Sequence, residues 1–521
     1  MLSSLKIVAV GFLTLTSVLA LRAEPAPLDH QDPKKHYLPV TNRGHIYTSG
    51  YIEQDAVPEY TWASEKAYEE FDDMKFGVRI HWGLYSMVEW TQESWPLLNL
   101  PHPEKQKHFD LYKQWNPENF DAKAWMQLFV DSGMKMFAFT TKHHEGFSLY
   151  DTKTRVKKRV RWDAPGGPVM EDCDFTYSVM DTPVKRDIVR ELVDAARPHD
   201  LKINLYYSHN DWYDADFRPY LWHPLQVPSS AKLSVKGKDL IYEGTARFKT
   251  TPPVYVADPT AEEVDRMMKR HRDQIAELLT NYGKIDMICL DGQFGPAVWP
   301  KLRETMIELR KIQPDAMFRA RGIGNYGDYY TPEGFVPGAK ENTHVPWFVI
   351  YPLGRSFSYE NDPTKHKGTK WIIENLVDCA AKGGGFMVGI GPDGSGKFHE
   401  TAITQLRQTG RWLKVHGEAI YKTRARKGDD WKEGERIRFT QTKDKRTVYA
   451  HCFDWPGQQL ILKTVTPKPG SSIVLLGDPQ ATSLEWRHAP DQGLVITLPD
   501  GLLGRITEDQ ALAHTFKIQV E

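Results

Sequence analysis

At 521 residues the chain exceeds one ordinary domain, and its 40% apolar residues are enough to bury more than one core. Its 67 basic and 68 acidic side chains leave a net charge of −1, which excludes an overall field that would draw in nucleic acid or an anionic membrane. Four cysteines at distant positions (Cys173, Cys289, Cys379 and Cys452) exclude a metal-type cysteine spacing.

The N-terminus reads as a signal peptide over residues 1–23. Lys6 gives a weakly positive start, Ile7 to Leu21 is apolar, and Val18-Leu19-Ala20 or Leu21-Arg22-Ala23 offers a cleavage site. The apolar run falls short of the ~20 residues needed to span a bilayer. The mature protein is therefore expected to be secreted or periplasmic, with no membrane contact after cleavage. Residues 24–58 read as an irregular lead-in.

From 59 to 421 strands and helices alternate. Strands are predicted at Met74 to Ile80, Met136 to Thr140, Lys202 to Tyr207, Ile285 to Leu290, near Arg319-Ala320-Arg321, and at Phe386 to Ile390. Helices are predicted at Ala122 to Ser132, Val184 to Arg197, Lys301 to Ile312, Trp371 to Ala381 and Ile403 to Val415. A further long helix, ending at Tyr282, opens on the capping box Thr260-Ala261-Glu262-Glu263. Residues 213–258 are polar and Pro-rich, an insertion of a length that is usually functional in a compact domain. This alternation is the pattern of an α/β fold, an irregular (β/α) barrel. From 422 to 521 short strands follow at Ile437 to Gln441, Thr447 to His451, Gln459 to Thr464, Ile473 to Leu476 and Val495 to Leu498, and predict a C-terminal all-β sandwich domain.

Each polar cluster of the barrel follows a strand, so the clusters are expected to meet on one face. They are His81-Trp82-Gly83 with the Trp-rich loop Glu89-Trp90 and Glu93-Ser94-Trp95, then Lys142-His143-His144-Glu145, Ser208-His209-Asn210-Asp211-Trp212, and Asp291-Gly292. Asp291 stands at the end of a buried strand, where barrel enzymes place catalytic groups, and Gly292 permits a sharp turn after it. Taken alone, Asp291 is equally suited to cap a helix. Adjacent histidines on an extended segment point opposite ways, poor geometry for one ion. No metal or cofactor is therefore expected, and hydrogen bonding of His143 and His144 to ligand hydroxyls is. Cys289 and Cys379 sit in apolar contexts and read as inert core residues.

Together the clusters resemble glycoside hydrolase family 29, the retaining α-L-fucosidases. The resemblance runs from about residue 59 to 421 through Phe76-Gly77-Val78-Arg79-Ile80-His81-Trp82-Gly83-Leu84-Tyr85-Ser86, Thr141-Lys142-His143-His144-Glu145-Gly146-Phe147, Leu205-Tyr206-Tyr207-Ser208, Leu290-Asp291-Gly292, Thr331-Pro332-Glu333, Lys382-Gly383-Gly384-Gly385 with Gly391-Pro392-Asp393, and Trp412-Leu413-Lys414-Val415-His416-Gly417-Glu418. It implies a barrel followed by a β-sandwich, with Asp291 as nucleophile. It also implies that His81, Glu89, Trp90, His143, His144, Tyr207 and Arg321 bind the sugar.

The chain departs from the family pattern at three points. Phe348 stands where the family's acid/base glutamate usually follows a tryptophan, Cys289 replaces an aromatic residue, and Gly389 replaces an asparagine. A phenyl ring cannot donate a proton. Glu341, Glu360 and Glu333, in that order, are the candidates to replace it. The expected partner is an oligosaccharide or polysaccharide carrying terminal α-L-fucose. An exo-α-L-galactosidase on the same fold, and a catalytically weakened sugar-binding protein, are the alternatives.

Overall fold

The computed structural model describes residues 29–36, 52, 53, 55–218, 223–225, 257–333, 336, 337, 345–489 and 491–521. The leader at 1–23, most of the 213–258 insertion and the candidate Glu341 lie outside the described residues. In chain order the first strands are β1 (Phe76–Ile80), β2 (Met136–Lys142), the hairpin of β3 (Val156–Arg161) and β4 (Val169–Phe175), and β5 (Lys202–Ser208). They are followed by β6 (Met287–Asp291), β7 (Met317–Phe318), β8 (Phe348–Pro352) and β9 (Gly385–Ile390). Apart from the hairpin, these strands are nearly all buried, because a parallel sheet is covered on both faces.

The hairpin apart, the strands form one seven-stranded parallel sheet in the order β7-β6-β5-β2-β1-β9-β8. Its two edges, β7 and β8, are joined by residues 329–333. Parallel bridges link Arg319 to Tyr329, Tyr330 to Trp347 and Glu333 to Ile350. Backbone hydrogen bonds along this seam include Ala320 N to Tyr329 O (2.8 Å), Tyr330 N to Pro346 O (3.0 Å), Phe348 N to Tyr330 O (3.2 Å) and Ile350 N to Pro332 O (3.1 Å). Pro332 lacks an N–H, so the segment cannot make a full ladder. The barrel is thus closed, but one of its staves is irregular.

Helices α1 (Glu65–Met74), α2 (His102–Phe109), α3 (Ala122–Asp131), α4 (Ile188–Ala196), α5 (Ala261–Asn281), α6 (Trp299–Ile312), α7 (Thr369–Ala381) and α8 (Glu400–His416) belong to the same domain. The capping box of α5 is present, with Thr260 and Glu263 each accepting from the other's backbone N–H. The expectation of a strand beginning at Met74 fails because α1 occupies that residue. At least six barrel strands are expected from the sequence, and the described residues form seven, of which β8 is not among the strands predicted by position. The β3–β4 hairpin was not expected either. Its strands are held by charged pairs such as Arg159 with Glu171 (2.8 Å), in place of an apolar alternation that a sequence would reveal.

The C-terminal strands are β10 (Lys432–Glu433), β11 (Ile437–Gln441), β12 (Thr447–Cys452), β13 (Gln459–Leu462), β14 (Ile473–Leu475), β15 (Trp486–Ala489), β16 (Gly493–Thr497) and β17 (His514–Gln519). They form antiparallel sheets ordered β10-β11-β12-β17-β14 and β13-β16-β15 around a core that includes Phe439, Leu460, Ile496 and Phe516. This domain docks on the barrel through Trp412 Nε1 donating to Ala513 O (3.0 Å) and Arg438 paired with Asp378 (2.5 Å).

Just before the irregular stave, Asp328 is fully buried and accepts four hydrogen bonds. Its donors are Ala63 N (2.9 Å), Tyr68 OH (3.1 Å), Phe318 N (2.6 Å) and Arg310 Nη2 (2.6 Å). One carboxylate therefore ties the segment before α1, α1 itself, α6 and β7 together. Asp328→Ala leaves the Arg310 charge buried and unpaired, and is expected to lower unfolding free energy by about 3–5 kcal/mol in a denaturant titration.

Candidate active site

The C-terminal ends of the barrel strands deliver their side chains to one place. Asp291 closes β6, and Gly292 follows it at φ +78, where a Cβ would come within 2.3 Å of Asn210 Oδ1. The Asp291 carboxylate receives Arg321 Nη1 at 2.6 Å and Arg319 Nη1 at 3.4 Å on Oδ1, and the Tyr206 hydroxyl at 2.7 Å on Oδ2. His144 Nε2 lies 3.7 Å from Oδ2. Burial pushes this carboxyl up, but Arg321, Arg319 and His144 outweigh it and hold it well below the usual aspartate range. It is an ionised, oriented carboxylate.

The same two arginines grip a second acid. Glu333 Oε1 accepts from Arg321 Nη2 (2.7 Å) and Arg319 Nη2 (2.8 Å). Each guanidinium thus bridges Asp291 and Glu333. Burial raises the Glu333 carboxyl and Asp291 raises it further, yet the two cations lower it below the usual glutamate range. Its side chain keeps 37% of its exposure, against 15% for Asp291, so Glu333 faces the open side.

Three imidazoles line the pocket. Burial first, then neighbouring cations or imidazoles, keep His81 and His143 well below their ordinary values. Burial brings His144 down to about 4 against the pull of Asp291. All three are therefore neutral near pH 7, each with one donor and one acceptor. Ser94 Oγ bonds His143 Nδ1. Trp95 packs 4.9 Å from His144, and Trp212 stacks on the same ring at 5.2 Å. Phe357 stacks on His81 at 5.1 Å. The pleat argument against both histidines facing one centre does not apply, because β2 ends at Lys142 and the pair sits in the turn beyond it, with rings 4.7 Å apart.

Of the residues expected from the sequence, Asp291, His81, His143, His144, Arg321 and Glu333 are brought together. Tyr207 is not. Strand parity turns its hydroxyl to the outer side of the barrel, where it donates to Gln274 Oε1 on α5 (2.7 Å) and receives Lys142 Nζ (3.1 Å). Tyr206 takes the inward position instead. Glu89 is exposed and accepts from Asn361 Nδ2 (3.1 Å), while Trp90 stacks on His108. Neither reaches the carboxylates, and Ser94-Trp95 takes the place expected of Glu89-Trp90. Glu360 is held by Arg355 through two bonds of 2.7 Å and is occupied there.

Phe348 is buried with its ring against Phe71 of α1 at 4.8 Å, on the outer layer of the barrel. A side chain at that position points away from Asp291, so the missing glutamate there is no sign of a lost proton donor. The other two departures are filled by neighbours. Cys289 Sγ accepts from Arg79 Nη1 (3.1 Å), and the Arg79 guanidinium lies 4.3 Å from the Tyr206 ring centre. At Gly389 a Cβ would stand 2.5 Å from Phe357 Cδ1, so the glycine makes room for that ring.

Arg319, Tyr206, Ser94, Trp95 and Glu93 were missed. The spacing Arg319-Ala320-Arg321 was the available signal, since residues two apart on an extended segment share a side. Glu93 accepts from Ser356 Oγ (3.0 Å), Phe357 N (2.8 Å) and Ser358 N (3.0 Å), and burial pushes its carboxyl up to about 7 despite them.

The family model described as alpha-L-fucosidase matches residues 46–418, and that of the alpha-L-fucosidase C-terminal domain matches 432–519. Plasma alpha-L-fucosidase of Homo sapiens is 25% identical over 472 residues, spanning 84% of this chain and 88% of that protein. Tissue alpha-L-fucosidase of Mus musculus is 27% identical over 461 residues, spanning 82% and 87%. Among solved structures, alpha-L-fucosidase isoenzyme 1 from Paenibacillus thiaminolyticus superposes with a TM-score of 0.66 at 25% identity, covering 88% of this chain and 99% of that one. A Bacteroides thetaiotaomicron alpha-L-fucosidase superposes at 0.68 with 21% identity, over 90% and 98%, a likeness of fold.

The opposite orientations of the paired tyrosines make a discriminating test. Tyr206→Phe removes a hydrogen bond to the ionised carboxylate, so the Asp291 pKa is expected to rise toward its ordinary value in a carboxyl-carbon NMR titration. Tyr207→Phe should leave that titration unmoved and lower unfolding free energy by about 1–3 kcal/mol.

Proposed function

This chain belongs to the α-L-fucosidase family, and from that premise we propose that it is an exo-acting retaining glycoside hydrolase that releases terminal α-L-fucose or a fucose-like sugar, with Asp291 as nucleophile and Glu333 as acid/base. The observation that carries this reading is the pair of carboxylates held by the same two guanidiniums at the open end of the barrel. A retaining mechanism needs two carboxyl groups ~5–5.5 Å apart, one to attack and one to protonate the leaving oxygen. A shared guanidinium holds two such groups as near neighbours.

In this mechanism the ionised Asp291 attacks the anomeric carbon as Glu333, in the protonated form that it takes up at low pH, donates its proton to the departing oxygen. Glu333, then a carboxylate, takes a proton from the water that opens the glycosyl-enzyme. Tyr206 and Arg321 orient the attacking oxygens and spread their charge. The neutral His81, His143 and His144 bond sugar hydroxyls, and Trp95 covers an apolar face of the ring. The apolar leader suits a secreted or periplasmic enzyme whose substrate is an extracellular glycan.

Asp291→Asn is expected to abolish turnover. Glu333→Gln is expected to slow release from an oligosaccharide by about 10²–10⁴-fold, while α-L-fucosyl fluoride, whose leaving group needs no proton, is still consumed. Proton NMR should detect the α-anomer of the sugar as the first product. A first product of opposite configuration rejects retention, and unchanged turnover in Asp291→Asn rejects the nucleophile.

The pH profile supplies a second test. Glu333 must be protonated to donate, and Arg321 and Arg319 hold its pKa low, so kcat/KM on an oligosaccharide should fall as pH rises through that lowered value. Removing one of the cations in Arg321→Gln raises the pKa, and the alkaline limb should shift to higher pH. A limb that stays in place assigns it to another group.

A further inference from the structure

An open cleft of about 650 Å³ is lined by Glu89, Trp90, Gln92, Pro96, Arg355 and Ser356. Its two walls are also walls of the site. Glu93 receives Ser356, Phe357 and Ser358, which locks the 92–95 segment to the 355–358 segment. Inward of that lock, Ser94 holds His143 and Phe357 stacks on His81. Outward of it lies the cleft.

The cleft contains a preformed aromatic platform. Trp90 stacks on His108 with ring centroids 4.5 Å apart and planes 4° from parallel. His108 Nε2 bonds Glu145 Oε2 (2.7 Å), and Glu145 Oε1 accepts Leu84 N (2.8 Å). Glu145 directly follows His144, so the indole is braced on the turn that carries both site histidines. An aromatic plate fixed in advance loses little rotamer freedom when something packs on it.

Polar groups ring the platform without serving the proposed chemistry. Glu89 is held at a left-handed φ of 51 with its carboxylate on Asn361, and the half-exposed Arg355 is neutralised by Glu360. Two carboxylates against one guanidinium give the rim a negative balance, which opposes an anionic ligand and leaves hydrogen-bonding partners for hydroxyls.

We propose that this cleft binds the sugar residue to which the released sugar was attached, a neutral glycosyl leaving group stacked on Trp90. The proposal rests on the glycosidase reading and adds the specificity-determining platform on the leaving-group side.

The test compares an oligosaccharide having a neutral penultimate sugar with α-L-fucosyl fluoride, which puts nothing in the cleft. Trp90→Ala should lower kcat/KM tenfold or more on the oligosaccharide and less than threefold on the fluoride. Trp90→Phe should recover most of the oligosaccharide rate. Equal losses on both substrates, or an undiminished oligosaccharide rate, overturn the proposal. Cleavage of a sulfated penultimate residue as fast as the neutral one overturns its restriction to neutral sugars. Failure of the unaltered enzyme to consume the fluoride is a separate result, and it overturns the glycosidase reading together with this one.

Discussion

Two guanidiniums between two carboxylates hold the centre of this molecule together. Asp291 and Glu333 would repel each other in a site from which much of the water is excluded, and one of them would then take up a proton. Arg319 and Arg321 remove that repulsion by binding both acids at once. The arrangement demands a β7 segment that ends with two arginines on one side, a β6 that ends in an aspartate, and a neighbouring stave that ends in a glutamate. Supporting groups extend below it, where Arg79 lies against the Tyr206 ring and so braces the hydroxyl that Asp291 accepts. Burial keeps the nearby imidazoles neutral and available to uncharged hydroxyls.

Much of this was legible in the sequence, for a definite physical reason. Barrel strands are buried on both faces and read as apolar runs, and the polar residue that ends each run marks the rim. The strand ends that carry His81, His143, His144 and Asp291 were found that way, and Arg321 entered through the family resemblance. Tyr206 and Tyr207 were confused because two adjacent tyrosines in a fully buried strand carry no pattern that says which faces inward. Only the pairing with β2 and β6 decides it. Glu89-Trp90 and Ser94-Trp95 are near repeats within one loop, and the chain path of a loop is not written in its periodicity. The order of preference among Glu341, Glu360 and Glu333 had no local basis, since the proximity of Glu333 to Asp291 depends on closing the barrel through residues far apart in sequence.

The departures from the family pattern make sense as matched changes. A thiol at Cys289 accepts a hydrogen bond from Arg79, which an aromatic hydrocarbon ring there could not do in the same way. An absent side chain at Gly389 admits Phe357, which in turn covers His81. Residues in such direct contact are energetically coupled, so each substitution is best understood with its partner.

The irregular stave has a consequence for how Glu333 is held in place. Residues 329–333 are joined to their neighbours by isolated bridges, whereas the other staves share continuous ladders. Side chains make up the difference: Tyr329 and Tyr330 are fully buried, and Arg319 and Arg321 grip Glu333 from the neighbouring stave. The position of this strip is therefore set by packing and charge more than by backbone pairing, and a substitution in the core beneath it can shift the glutamate without breaking a ladder.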